Sequence, residues 1–442
     1  ASMKAIRMYA ILSLSILSVP TFANECIDNF NEHVYSNILF FAQCQLNDND
    51  LKPIVAYANS HPDVNYIRLD ENNLGDQGLK TLALLQNTFE SIDLHNNQIH
   101  DSSSESLKKI PVMALDLSDN PIDTTAIKAI AENPTLKALS IRNTQVDAGI
   151  VDIFKSNLLQ YIDIASDALS SEVWEKIGET SQQYDLVVAG KNLDDGFAAG
   201  FSKNSSVYYL GLGINKISLN GFTSLMQNSS MISLMLDNMR ENSGVFEAIG
   251  NAQHSSLSSF AIIIHDTLKL NCEIAKKIAK NTTLTSLGIY NISSEPSIDL
   301  DFAKEIIKSN SITKLTIYDN DMDDAKAIAI ANSKNITELE FPQGNIGDEG
   351  AIAIAQMREL RNAYLNMNHI SDNGALAFID KKNMETLDLS SNHISDGAIN
   401  KLKANLNIEH LYLENQFQDA GRVIKNREIL NKRFLFRKQA SY

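Results

Sequence analysis

Aromatic residues are scarce, 7% of a 442-residue chain with one tryptophan, and cysteine (three) and proline (eight) are scarcer still. Few aromatics exclude a core built on large rings and leave Leu, Ile, Val and Ala to fill it. Cys26, Cys44 and Cys272 match no metal-ligand spacing, so a zinc-stapled framework is excluded and no metal is expected. Positive charge is in deficit: 38 Lys and Arg stand against 54 Asp and Glu, a formal net charge of −16. That balance argues against nucleic acid or anionic lipid as the main ligand and favours a protein partner with a basic or mixed surface. A glycine-rich phosphate loop, a metal-ligand helix motif and a nucleophile elbow are all lacking, so no cofactor and no catalytic residue is assigned. Beyond the N-terminus there is no apolar run of membrane-spanning length.

The N-terminus itself has the parts of a secretory signal over residues 1–23. Lys4 and Arg7 supply the positive region, Met8 to Val19 the apolar run, and Thr21-Phe22-Ala23 the small-residue cleavage site. The run is too short to span a bilayer, and Ala1-Ser2 ahead of Met3 reads as a cloning scar. An amphipathic or buried N-terminal helix is the competing reading. At the other end Arg422, Lys425, Arg427, Lys432, Arg433, Arg437 and Lys438 face one acid, Glu428. Residues 426–442 are expected to form a basic capping helix or tail, with partner docking as the sharper alternative.

What the chain does contain is a repeat. From Met384 to Ile399 the apolar residues fall at Met384, Leu387, Leu389 and Ile394, with Asn392 between the last two. Leu387 and Leu389 alternate as a short half-buried strand must. Asn392 then turns the chain, its amide meeting backbone groups bared by the bend. Ser395 or Asp396 can cap a following helix, and Gly397 allows that helix to start close to its neighbour. The unit starts again at Val64, Phe89, Val112, Leu136, Leu159, Gln183, Val207, Met231, Leu257, Leu284, Ile312, Ile336, Leu360, Met384 and Ile408, about 24.6 residues apart. This is the L-x-x-L-x-L-x-x-N-x-L signature of a leucine-rich repeat, whose period is 20–29 residues.

The stretch Asn345-Ile346-Gly347-Asp348-Glu349-Gly350-Ala351-Ile352-Ala353-Ile354-Ala355 shows a helix following the asparagine turn, with Ala353 and Ala355 small enough for close helix packing. Over roughly residues 36–425 the text resembles the ribonuclease-inhibitor class of leucine-rich repeats. The resemblance implies an α/β solenoid (a horseshoe) of 15–16 repeats of ~24 residues, with a parallel concave sheet and convex helices. The repeats are short for that class, so short helices or single 3₁₀ turns are expected. Residues 24–60 are expected to cap the array, with a helix around Cys26–Phe40 and a degenerate first repeat of Leu39, Phe41 and Leu46. Cys44 fills the asparagine slot of that repeat. The buried thiol is the preferred reading there, and a Cys26–Cys44 disulfide stays open. Residues 61–425 form the repeat domain proper. Its asparagine slot fails at Lys191, Met239, His265 and Ile292, where repeats also lengthen, so the centre of the array is its irregular part.

With the fourth and sixth strand positions inward, the third, fifth and seventh face the concave side. The fifth position reads Arg68, Asp93, Asp116, Ser140, Asp163, Val187, Gly211, Met235, Ala261, Gly288, Thr316, Glu340, Tyr364, Asp388 and Tyr412. Val187, Tyr209, Met235, Ile263 and Tyr290 are expected to form a contiguous apolar strip, the candidate hot spot for a protein partner. Asp93, Asp116, Asp119 and Asp163 form an acidic flank able to steer a basic partner. Tyr364 and Tyr412 extend the contact face. His369 and His393 share a slot in adjacent repeats and should stack about one strand spacing apart (~4.8 Å) as loop residues rather than metal ligands. Cys272 reads as a buried structural thiol.

The expected function is therefore a non-enzymatic, monomeric protein-binding scaffold. Its Asn/Ile/Lys-rich text and export signal resemble leucine-rich-repeat proteins that intracellular bacterial pathogens export or deliver into host cells as virulence effectors or effector inhibitors. A periplasmic or cell-surface structural role is the alternative. An enzyme is the remote one, since only about twenty residues follow the last repeat.

Overall fold

The computed structural model describes residues 23–417, apart from 238, 240–243, 266–267 and 407. The apolar run Met8 to Val19 and the basic tail 426–442 lie outside the described residues. Two compact units divide the chain, one ending at Lys216 and the next beginning at Ile217. In the first, a two-residue strand, Val34–Tyr35, pairs antiparallel with Ile38–Phe40. From Ile38–Phe40 to Tyr209–Leu212 each strand then pairs parallel with the next in sequence. In the second unit the same parallel order runs from Ser233–Asp237 to His410–Tyr412. A helix follows nearly every strand, so both units have the α/β architecture of a leucine-rich-repeat solenoid.

Strand alternation sets the core. Leu115 and Leu117 in the first unit, and Leu287 and Ile289 in the second, are fully buried, as the inward fourth and sixth positions require. Helices begin where the sequence offers a cap: Asp123, Ser170, Asp299, Asp323 and Ser395 each accept a backbone N–H of the first turn. A second capping device joins repeats. Asp348 Oδ1 accepts the N–H groups of Ser371 (2.8 Å) and Gly374 (3.0 Å) in the next repeat. A Cβ at Gly374 would stand 2.6 Å from that oxygen, so glycine is needed there. At Gly397, where the same need was expected, the nearest atom is 3.8 Å away and the space is open. Helix Asp348–Ala355 buries Ala351 and Ile354, while Ala353 and Ala355 are only half-buried.

The asparagine slot is where the repeats are tied together. Asn120 Nδ2 donates to the carbonyls of Leu94 (2.9 Å) and Leu117 (3.1 Å), and its Oδ1 accepts the N–H groups of Asn97 (3.2 Å) and Ile99 (3.1 Å). Asn392 makes the same set with Leu365, Leu389, Asn368 and Ile370. Gln416 takes the slot of the last described repeat, binding Asn392 and Ile394 through Oε1. At two of the irregular positions the slot is vacated, Lys191 and Ile292 turning to solvent, whereas Met239 is buried. A second buried slot, three residues ahead of the repeat start in several repeats, escaped the pattern reading. There Asn133, Asn204 and Asn281 reach back to carbonyls of the preceding repeat, as in Asn281 Nδ2 to Ile249 O at 2.8 Å. Its signature, Asn-(Ser/Thr)-(Ser/Thr)-apolar at 204–207 and 281–284, was available in the text.

The cap differs from expectation twice. The helix expected over Cys26–Phe40 is confined to Ala23–Asp28, with a 3₁₀ turn at Phe30–His33. Val34 and Tyr35 favour extended backbone, and Ser36 turns the chain with φ of 55°. The preferred free thiol is overturned as well: Cys26 and Cys44 form a disulfide, their Cα atoms 5.9 Å apart. The short helix sets Cys26 against the first repeat, within bridging distance. Cys44 still fills the asparagine slot, its N–H donating to Asn72 Oδ1 at 3.1 Å.

Two stability outcomes follow. Asn120→Ala strands five backbone groups and is expected to cost about 2–4 kcal/mol, read as a lowered urea midpoint, whereas Lys191→Ala in the corresponding slot stays within about 0.5 kcal/mol. Reduction of the Cys26–Cys44 bridge, whose sequence separation is 18, should lower stability by about 3 kcal/mol on loop-entropy grounds. An unchanged midpoint under reductant would contradict this.

Candidate functional site

Strand pairing places the fifth-position residues of the first unit in one row: Phe40, Arg68, Asp93, Asp116, Ser140, Asp163, Val187 and Gly211. The expected acidic flank is thus real as a row, except that Asp119 sits in the turn beyond it, bonded to Asn143. Its acids are buried rather than displayed, with Asp93 0%, Asp116 4% and Asp163 9% exposed. Asp163 holds Arg142 Nε at 2.8 Å, and Ser140 lies between Ser118 Oγ (3.0 Å) and Asp163 Oδ2 (3.4 Å). Arg68 stands over the Phe40 ring, 5.1 Å from its centroid, and gives Asp70 two hydrogen bonds.

His95, in the seventh position, joins this row. Its Nδ1 lies 2.7 Å from Asp93 Oδ1, and its Nε2 lies 3.9 Å from both Asp70 Oδ2 and Glu71 Oε1. Burial alone would lower the imidazole's pKa. The hydrogen bond to Asp93 and the charges of Asp93, Asp70 and Asp116 outweigh it and raise it to about 9. Burial pushes the carboxyls of Asp93 and Asp116 up, and their acidic neighbours add to it. The expectation for this region overlooked His95 and Arg142. Reading the seventh position through the first repeats, where Asp70, His95, Ser118 and Arg142 stand in order, would have found both.

The expected apolar strip is divided between the units. In the first, Val187 packs with Ala114, Ala138 and Tyr161, and Tyr209 and Tyr66 flank that cluster. Asp185 pairs in register with Tyr161 and Tyr209, fully buried. Neither of its oxygens has a hydrogen-bond partner. Tyr184 and Tyr208 stack on each other, ring centroids 4.7 Å apart.

In the second unit, Ile263 pairs with Tyr290 and Tyr290 with Tyr318, all three half-buried. The tyrosine rings lie 5.1 Å apart. Tyr290 covers Gly288, where an added Cβ would stand 2.8 Å from the ring, so the small residue there makes room for a large neighbour. Tyr318 was missed because its repeat looked regular. Its hydroxyl donates to Glu340 at 3.0 Å. Met235 belongs to the other row, paired with Ala261 and diagonal to Ile263. Asp237 bonds His265 at the edge of this ledge. Tyr364 pairs with Glu340 and Asp388, and Tyr412 beyond Asp388 is exposed.

His369 and His393 stack as expected, with centroids 5.7 Å apart and rings near parallel, though both are half-buried. Cys272 is not the buried thiol expected. It opens the helix Cys272–Lys280 on its half-exposed side, because Asn271 supplies the cap. No helix among the described residues is long and apolar enough to cross a membrane.

Residues 110–131, 332–355 and 381–402 match the Leucine Rich repeat family, in keeping with the leucine-rich-repeat fold that the repeated strand–turn–helix unit gives the chain. Among curated proteins none matches it in sequence. Among solved structures, an internalin (inlF) from Listeria monocytogenes str. 4b F2365 is 15% identical, covering 88% of this chain and 95% of its own, with a TM-score of 0.31. The TLR13–ssRNA13 complex is 15% identical, covering 86% of this chain and 60% of its own, with a TM-score of 0.43. The plant peptide hormone receptor RGFR1 in complex with RGF2 is 13% identical, covering 86% and 67%, with a TM-score of 0.32.

Asp185 generates a pH prediction. Burial raises its carboxyl to about 8, so the folded protein keeps a proton that the unfolded chain releases above about pH 4. Its contribution to stability therefore falls as pH rises from about 4 to about 8. Asp185→Asn should match wild type near pH 4 and exceed it at pH 8 by on the order of 2–4 kcal/mol in denaturant titrations. Equal stabilities at pH 8 would contradict the burial of an unpaired carboxyl.

Proposed function

We propose that the chain is a non-enzymatic binding protein that holds a protein partner on the concave side of its second unit. The observation carrying this reading is the in-register ledge of Ile263, Tyr290 and Tyr318, a half-buried aromatic and aliphatic surface. Aromatic anchors of this kind dominate interface energies because they give large contact area for little lost side-chain freedom. Asp237, Glu338 and Glu340 border the ledge, which suits a segment carrying apolar residues flanked by Lys or Arg. The overall charge of −16 supports the same preference.

The strand–helix order supports placing the repeats in the ribonuclease-inhibitor-like class. Lys4, Arg7 and the apolar run that follows support export from the cell that makes the protein. An exported binder of this composition fits a bacterial virulence effector or a regulator of one. A periplasmic or surface structural protein is the second reading, favoured by the same export signal.

The test is capture of partners from bacterial and host-cell lysates by the mature protein, followed by affinity measurement on the identified partner. Ile263→Asp with Tyr290→Ser and Tyr318→Ser should weaken binding at least about 30-fold, since each anchor contributes on the order of 2 kcal/mol. A partner held equally by this variant refutes the ledge. Capture from neither lysate favours the structural role.

A further inference from the structure

The buried carboxylates of the first unit are not absorbed by the ledge. Asp93 and Asp116 face each other on paired strands, and two like charges out of water need a neutralising partner between them. We propose that Asp93, His95 and Asp116 form a binding site for one divalent cation of the Zn²⁺ or Mn²⁺ type, which nothing in the repeat motif supplies.

Three observations carry it. One donor atom from each residue lies within 4.8 Å of the others, close enough for a single ion to draw in all three at bonds of about 2.0–2.2 Å. Asp93 Oδ2 is fully buried and accepts no hydrogen bond. The closest guanidinium nitrogen to it, Arg68 Nε, is 3.6 Å away and already committed to Asp70. Finally, the ligands are held from behind. Asp93 Oδ1 accepts the His95 N–H (3.0 Å), and Asp116 Oδ1 accepts the Ser118 N–H (2.9 Å). Asp70 and Glu71 stand 3.9 Å from His95 Nε2. A metal-bound imidazole whose second nitrogen faces carboxylates is the usual arrangement of such sites. One nitrogen and two oxygen donors favour Zn²⁺ or Mn²⁺ over Ca²⁺ or Mg²⁺, which take oxygen alone.

On binding, the cation takes the Nδ1 lone pair, and the proton held there leaves to solvent, so uptake releases protons. The sulfur–nitrogen group of Cys26, His33 and Cys44 cannot compete because its sulfurs are joined.

The experiment is calorimetric titration of the untagged, EDTA-dialysed full chain with ZnCl₂ and MnCl₂ at pH 7.5 in two buffers of different ionisation enthalpy. One equivalent should bind with proton release. Affinity should fall at least 30-fold in His95→Gln and in Asp116→Asn, each confirmed folded by circular dichroism. A His369→Gln, His393→Gln double variant should bind as wild type. No binding of either metal, or affinity retained in either site variant, overturns the proposal. Because no protein partner is present, the outcome is independent of the ledge.

Discussion

A buried asparagine amide is a poor core residue and an effective bridge. Each Asn of the ladder has two donor hydrogens and one acceptor oxygen, and the bend after each strand exposes carbonyls and N–H groups in matching number. Asn97, Asn120, Asn368 and Asn392 spend that capacity across the repeat boundary, tying each turn to the one before it. With the turns fixed at a common spacing, strands must pair in parallel with their fourth and sixth residues inward. Every third, fifth and seventh residue then falls into rows. The candidate sites exist because of that constraint: Asp93 meets Asp116, and Tyr290 meets Tyr318, only through the register it imposes.

The same logic explains how much was legible. Period, inward positions and the fifth-position row follow from local alternation, and the strands pair as that row requires. What the row cannot show is depth. Asp93 and Asp163 look like displayed charges in the text, yet they lie among Arg68, Arg142 and His95, contributed by the fifth and seventh positions of several repeats. Nor does a row show which neighbours touch diagonally, so Met235 was grouped with Ile263 although Ala261 is its partner. The cap was legible least. Its disulfide depends on where a helix of six residues ends and on a turn at Ser36, single-residue features that no period reveals.

The two units use their third, fifth and seventh strand positions differently. In the second, burial alternates along Ser259–Ile264, leaving Ala261 and Ile263 half-buried. In the first, Asp185–Ala189 is buried throughout. Side chains of Tyr161, Val187 and Tyr209 there fill one another's space and shut out water. An apolar patch that is already closed has little surface left to gain on binding, whereas a half-buried ledge still has. The energetic argument for partner contact is thus stronger at Tyr290 and Tyr318 than at Val187.

Closure has a cost in the first unit, because it traps carboxyls. Asp185 has no partner for either oxygen, and Asp93 has none for one. An unpaired buried acid destabilises the fold, and replacing it with an apolar residue would relieve the strain on the core. The long leucine-rich core can carry such a burden, since stability in a repeat array accumulates repeat by repeat. The two acids differ, however, in their surroundings. Asp185 sits among tyrosine rings with no second ligand nearby, so protonation is its available relief. Asp93 has His95 and Asp116 converging on it, and a backbone N–H group already holds one oxygen of each acid. A pre-positioned donor set of that kind is costly when empty and favourable when a cation completes it, and this distinguishes a site from a buried acid that is merely tolerated.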